Sequence, residues 1–396
     1  MNTRRLGLLS FVLLGVLAQS GAALAQGTIK FGFVSSLSGP FAVWGLQARD
    51  GMKMAIEELN AKGGVLGKKF ELIERDDKNN PNEGITAFKY MVEQEHVVAA
   101  GGTISSDVGL AVAQQAESYK VPYFLTMAGA AEILKKESRY TFRTCLPAAP
   151  ESMGAIAFMI KEKKITRVGE IAADYSWGHS IMDAVETTIK PLPGVKLQVE
   201  VAPVREKDFT PYLRKLQGMN PELIIGTGHP PGVPTITRQA IELGMKAMIV
   251  GPWYAAEMMA QRVGPMMYGH YVDYSCVDFE SPGYKQLAAK YFAGYKHLLD
   301  NNSLSGYAMV KMVAGAIEKT KSTDPKVIAD AIRKGSFDQP GYAWPLAYTE
   351  WGEMKAAKPI LYTYEKGDPG AVDVGATWRQ KVVYRSPVIA PYVPKD

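Results

Sequence analysis

Residues 97–107 read Val97-Val98-Ala99-Ala100-Gly101-Gly102-Thr103-Ile104-Ser105-Ser106-Asp107, and Pro122-Tyr123-Phe124-Leu125-Thr126 follow one helix length later. The first four residues are a short apolar strand, the glycine pair ends it, and Asp107 opens a helix. A buried strand, a tight loop, a helix and a second buried strand form the repeating unit of a parallel sheet covered on both faces.

The same alternation continues outward. Residues 29–34 and 70–73 read as strands. Between them Met52, Ile56 and Leu59 recur at helical spacing, and Gly63-Gly64 stops that helix. Asn80-Pro81 with Glu83 is a helix start, with Ile85, Phe88 and Val92 on one face. The alternation restarts near Glu151, with strands expected at 167–172, 195–200, 223–227 and 247–250. Residues 282–335 read as helical, with a start at Asp324-Pro325. Two such runs predict an α/β protein of two doubly wound lobes.

The ends and the composition bound the function. Arg4 and Arg5, an apolar run over 6–17 and the small residues Ala23-Leu24-Ala25 have the layout of a secretory signal peptide cut before Gln26. The apolar run is too short to span roughly 30 Å of hydrocarbon. No Cys follows the cut, which disfavours a lipid anchor. Taking those 25 residues and their two arginines from a chain of 396 with 45 basic and 40 acidic residues leaves 371 of net charge +3. Charges so balanced and interspersed exclude nucleic acid as a partner. The two cysteines, Cys145 and Cys276, make neither a disulfide framework nor a metal site. In an oxidising compartment they could pair, and spacing alone leaves that open.

Four loops fall at carboxyl ends of strands, where ligands of open parallel sheets bind. Ser106, after the glycine pair, reads as a helix N-cap, and a helix N-terminus attracts anions. An equally good reading is that Ser106 only caps its helix. Thr126-Met127-Ala128-Gly129-Ala130-Ala131 would let a ligand approach the backbone, or forms an ordinary tight turn. Trp177-Gly178 and Gly251-Pro252-Trp253-Tyr254 place a Trp on a polar, glycine-containing loop, which suits either a binding surface or a ring folded onto the core. Of the five histidines, His229, on a strand-end loop, is the one that reads as pocket-lining. No nucleophile elbow, P-loop or zinc-protease motif occurs, and Gly226-Thr227-Gly228 loses its third glycine to Pro231. The chain therefore reads as a non-enzyme without cofactor or metal; a secreted α/β hydrolase is the enzyme alternative.

Ser36-Leu37-Ser38-Gly39-Pro40, Trp44-Gly45 and Asn60-Ala61-Lys62-Gly63-Gly64 stand in the order found at the start of one family. Residues 102–106 and 126–131, Trp177-Gly178, Arg238-Gln239-Ala240, Gly251-Pro252 and Ser305-Gly306-Tyr307 continue it. Together they resemble the leucine/isoleucine/valine-binding proteins of branched-chain amino acid ABC importers. The resemblance implies a type I periplasmic binding protein, two lobes joined by three hinge crossings near 143–150, 274–279 and 351–358. It implies lobe 1 at 26–145 with 277–353, lobe 2 at 146–276 with 354–396, a periplasmic monomer and a membrane permease partner. It puts Cys145 and Cys276 at the hinge, as a disulfide or as two thiols. It gives Ser106 the ligand carboxylate and Ala128 a backbone contact, with Thr126 beside them. Ala130 stands where amino acid binders carry Thr, Trp44 and Trp177 at aromatic positions, and His229 near a Tyr. Trp253 stands where amino acid binders place a Glu against the ligand ammonium. Losing that Glu and Thr while keeping Ser106 points to an aromatic carboxylate of benzoate or hydroxycinnamate type. A branched-chain amino acid, an aliphatic acid or amide, and a ligand-sensing receptor subunit are the alternatives.

Overall fold

The computed structural model describes residues 27–227, 232–252, 256–367 and 378–395; the expected signal segment lies outside them. The chain begins β1 (Ile29–Ser35), α1 (Ala42–Ala61), β2 (Phe70–Asp76), α2 (Pro81–Glu93), β3 (Ala99–Thr103), α3 (Ser106–Tyr119), β4 (Tyr123–Leu125) and β5 (Thr141–Arg143). These strands make one sheet in the order β2-β1-β3-β4-β5. Every pairing in it is parallel. β1 and β3 are buried along nearly their whole length, as strands covered on both faces must be.

The chain then leaves this sheet. It forms α4 (Ala149–Lys163), β6 (Arg167–Ala173), α5 (Ser176–Thr188), β7 (Lys196–Ala202), α6 (Thr210–Gln217), β8 (Leu223–Gly226), α7 (Gly232–Glu242), β9 (Met248–Pro252), α8 (Ala256–Arg262) and β10 (Tyr271–Ser275). It returns as α9 (Pro282–Tyr295), α10 (Asn301–Thr320), α11 (Pro325–Arg333) and the short pair β11 (Ser336–Phe337) and β12 (Leu346–Ala347). It ends as β13 (Ile360–Lys366) and β14 (Trp378–Arg385). The second sheet has the order β14-β13-β10-β9-β8-β6-β7. The two-lobed doubly wound α/β architecture expected from the alternation is present.

The second sheet departs from the expected all-parallel form at one edge, where β13 and β14 run antiparallel. β13 is largely buried, while β14 alternates exposed residues with buried or half-buried ones over much of its length, which suits an edge strand better than a covered one. The helical stretch 282–335 is three helices, broken where Lys296 and Lys321 take left-handed backbone. α10 lies against α1 through Gly51 and Gly306; an added Cβ on Gly306 would sit 2.0 Å from the Ala48 carbonyl oxygen. Ser305-Gly306-Tyr307 is thus a helix-crossing motif.

Three segments link the sheets: 144–148 after β5, 276–281 after β10, and 348–359 between β12 and β13. Cys145 on the first and Cys276 on the second are joined as a disulfide, fully buried, with Cα atoms 5.5 Å apart. An apolar cluster holding Leu146, Met153, Tyr274, Val277, Met354 and Ala357 makes the core continuous through the hinge. No helix among the described residues is long and apolar enough to cross a membrane.

Candidate functional site

β3 and β4 are neighbours in the first sheet, so the loops at their carboxyl ends lie side by side. α3 starts at Ser106, with Ser105 at the N-cap and no side-chain cap bond there. The N-cap reading of Ser106 is therefore corrected by one position. Freed from capping, the Ser106 hydroxyl is buried and accepts the Ala130 N–H at 3.2 Å. Thr126 is fixed by its N–H to the Thr103 carbonyl at 3.1 Å. Its hydroxyl is fully buried and has no hydrogen-bond partner among the described residues. A buried hydroxyl left so is uncommon and calls for a missing partner.

Ala128 and Ala130 are buried in the same loop. Their carbonyls accept from the two terminal nitrogens of Arg143, and the Gly129 carbonyl accepts the Ala149 N–H at 3.1 Å. Arg143 ends β5, is fully buried, and pairs through Nε with Glu353 at 2.8 Å. A second acid, Glu151, stands in the first turn of α4 and accepts the Tyr392 N–H at 2.8 Å. Burial pushes the Glu151 carboxyl well up, the negative Glu353 adds to this, and the Tyr392 N–H and Arg143 oppose it. Burial pushes the Glu353 carboxyl up as well, with Arg143 opposing it, so one guanidinium stands near two buried carboxyls.

The second lobe meets these loops from β6 and the start of α5. Trp177 is buried against Gly129 and Leu146; a Cβ on Gly129 would lie 2.3 Å from the indole. The Ser176 hydroxyl donates to the Asp107 carboxylate, and Ser180 Oγ accepts the Ala131 N–H at 2.9 Å. Both bonds join the two lobes directly. Trp44, from α1, is buried in a cluster with Ile104 of the first lobe and Ile171, Met258 and Met259 of the second. Phe41 bridges Trp44 at 5.6 Å and Tyr175 at 6.2 Å between ring centroids. Burial pushes the Tyr175 phenol up and Asp107 adds to it, so this ring carries a neutral hydroxyl.

Ser106, Thr126, Ala128, Ala130, Trp44 and Trp177 therefore lie around one interlobe region; His229 and Trp253 lie outside the described residues. Sequence reasoning missed Phe41, Arg143, Tyr175, Ser176 and Ser180. Phe41 and Tyr175 sit beside flagged residues on strand-end loops, which was the available signal. The described residues of these loops carry no Lys or Arg side chain. An anion here would be held by hydroxyls, amides and the α3 terminus. No group of His, Cys, Asp and Glu among the described residues could hold a metal ion.

The family model for periplasmic binding proteins matches residues 28–356. The Leu/Ile/Val-binding protein BraC3 of Rhizobium johnstonii is 24% identical over 347 residues, 87% of this chain and 94% of that protein. The fold is similar to the R. palustris ABC transporter solute-binding protein in complex with benzoate, at TM-score 0.79 and 15% identity, covering 93% and 99% of the two chains. It is similar also to the Streptococcus pneumoniae branched-chain amino acid binding protein LivJ in complex with isoleucine, at TM-score 0.76 and 23% identity, covering 92% and 100%.

Proposed function

The chain belongs to the periplasmic binding protein family, whose members are solute-binding components of ABC transporters and not enzymes, and from that premise we propose that it captures an aromatic carboxylate of benzoate or hydroxycinnamate type. The observation that carries this is the orphaned Thr126 hydroxyl, fully buried just past β4, the neighbour of β3, whose loop leads to Ser106 at the start of α3. A ligand oxygen there would take a hydrogen bond from that hydroxyl and gain from the helix terminus. The walls supplied by Phe41, Trp44, Tyr175 and Trp177 favour a flat apolar body. Asp107, in the first turn of α3, is engaged by the Ser176 hydroxyl. By resemblance Trp253 replaces the glutamate that would pair with an ammonium.

Lobe 1, taken as 26–145 with 277–353, closes on lobe 2, taken as 146–276 with 354–396. Closure adds the Asp107–Ser176 and Ala131–Ser180 bonds to the ligand's own contacts, so ligand shifts an open–closed equilibrium. The protein is exported by its signal segment, works as a monomer in the periplasm and presents the closed form to a permease.

Thermal melts with benzoate, 4-hydroxybenzoate, 4-hydroxycinnamate and leucine test this. A ligand at about 100 times its Kd stabilises by roughly 2.7 kcal/mol. An aromatic acid should raise the melting temperature and leucine should not. Thr126→Val should leave the unliganded protein as stable or more so, since it removes an unpaired hydroxyl, and should weaken the aromatic acid. A shift by leucine alone would replace the aromatic reading with the amino acid one.

A further inference from the structure

We propose that Arg143 is a positioning residue of this site: anchored on Glu353, its guanidinium sets the direction in which the peptide groups of residues 128–131 face the ligand and the opposite lobe. The inference rests on the reading of this loop as ligand-binding. Three successive carbonyls are held from the two residues that flank the first crossing, those of Ala128 and Ala130 by Arg143 and that of Gly129 by Ala149. In a planar trans peptide the N–H points opposite its carbonyl. Holding the Gly129 carbonyl on Ala149 therefore turns the Ala130 N–H the other way, where it meets Ser106 Oγ at 3.2 Å. Holding the Ala130 carbonyl on Arg143, at 2.7 Å, turns the Ala131 N–H outward, where it meets Ser180 of the second lobe at 2.9 Å. The first bond shapes the anion end; the second is made only when the lobes meet.

The guanidinium suits this task because its N–H groups form a rigid planar fork. Two arms reach two carbonyls and the third nitrogen reaches Glu353 at 2.8 Å. Glu353 lies on the third crossing, where Thr349 Oγ1 accepts its N–H at 3.0 Å. One buried ion pair thus joins the ligand loop, the end of β5 just before the first crossing, and the third crossing. A lysine keeps the charge but cannot span both carbonyls.

Arg143→Lys decides the matter with two readouts. Amide hydrogen exchange of the unliganded protein should rise at residues 128–131 while β1, β3 and β4 keep wild-type protection. Benzoate, the probe ligand, should bind at least tenfold more weakly than to wild type. Unchanged exchange at 128–131 would overturn the assignment, as would wild-type affinity. Should wild type bind no benzoate, the ligand reading fails alone, because the exchange arm needs no ligand and still decides. If Arg143→Lys does not fold, Glu353→Gln gives the same test: raised exchange at 128–131 supports the coupling, and wild-type exchange ends it.

Discussion

A single residue in the second sheet shows how far one side chain can govern the pH response. Glu170 sits on β6 between Val199 of β7 and Ile225 of β8, is fully buried, and neither carboxylate oxygen has a partner among the described residues. Burial pushes its pKa up to about 8, against 4.5 for the free side chain. The folded protein therefore keeps a proton that the unfolded chain has lost. Its contribution to stability is fully present below about pH 4.5, declines as pH rises and is gone above about 8. The loss across that window is of order 4–5 kcal/mol. Glu170→Gln cannot titrate, so urea denaturation of the variant should lose less stability between pH 5 and pH 8.5 than wild type. Parallel losses in both proteins would mean that this carboxyl finds a partner in solution. Sequence alone could not flag Glu170, because Arg167-Val168-Gly169-Glu170 reads as a strand with its acid at an ordinary position. That the candidate residues Ser106, Thr126, Ala128 and Ala130 fall close together was legible for a different reason: they follow two short apolar strands, and adjacent parallel strands end on the same side. Arg143 was not legible, since its role depends on which carbonyls approach it in space.

At the scale of elements, helix starts were the most readable features. Asn80 accepts from the N–H groups of Asn82 and Glu83, and Asp324 from those of Lys326 and Val327, as their positions before proline suggested. β5, only three residues long, and the β13–β14 hairpin escaped the reading, the hairpin despite the turn-forming Gly367-Asp368-Pro369-Gly370 in its sequence. The α1–α10 contact makes a sharp case, because glycine there permits two backbones to touch. A methyl group at Gly306 would lie 2.0 Å from the Ala48 carbonyl oxygen, and no side-chain rotation relieves a clash with backbone. Gly306→Ala must push α10 off α1, and overpacking of this kind costs typically 1–3 kcal/mol. Chemical denaturation should register that loss, with ligand affinity falling far less than stability. A variant as stable as wild type would show that the helices have room to shift.

The whole molecule is organised by its hinge, and there the disulfide is the decisive element. Cys145 and Cys276 are 131 positions apart, a spacing that carries no pairing information, and only their common place on two crossings brings them together. In the chain-entropy account a cross-link closing a loop of that length removes about 5 kcal/mol of freedom from the unfolded state. At roughly 2 cal/mol/K per residue of unfolding entropy, that corresponds to about 6 °C in melting temperature for a chain this size. The link ties the first crossing to the second and leaves the third, at 348–359, joined to them by the Arg143–Glu353 pair. The proposed opening then pivots about two stapled crossings, so removing the staple should act on the unfolded state far more than on closure. Cys145→Ala/Cys276→Ala should melt several degrees lower than oxidised wild type, while its affinity for the same ligand stays within about threefold. Reduced wild type should melt with the double variant. If instead the double variant melts with oxidised wild type and affinity falls steeply, the bond governs the angle between the lobes rather than the entropy of the unfolded chain.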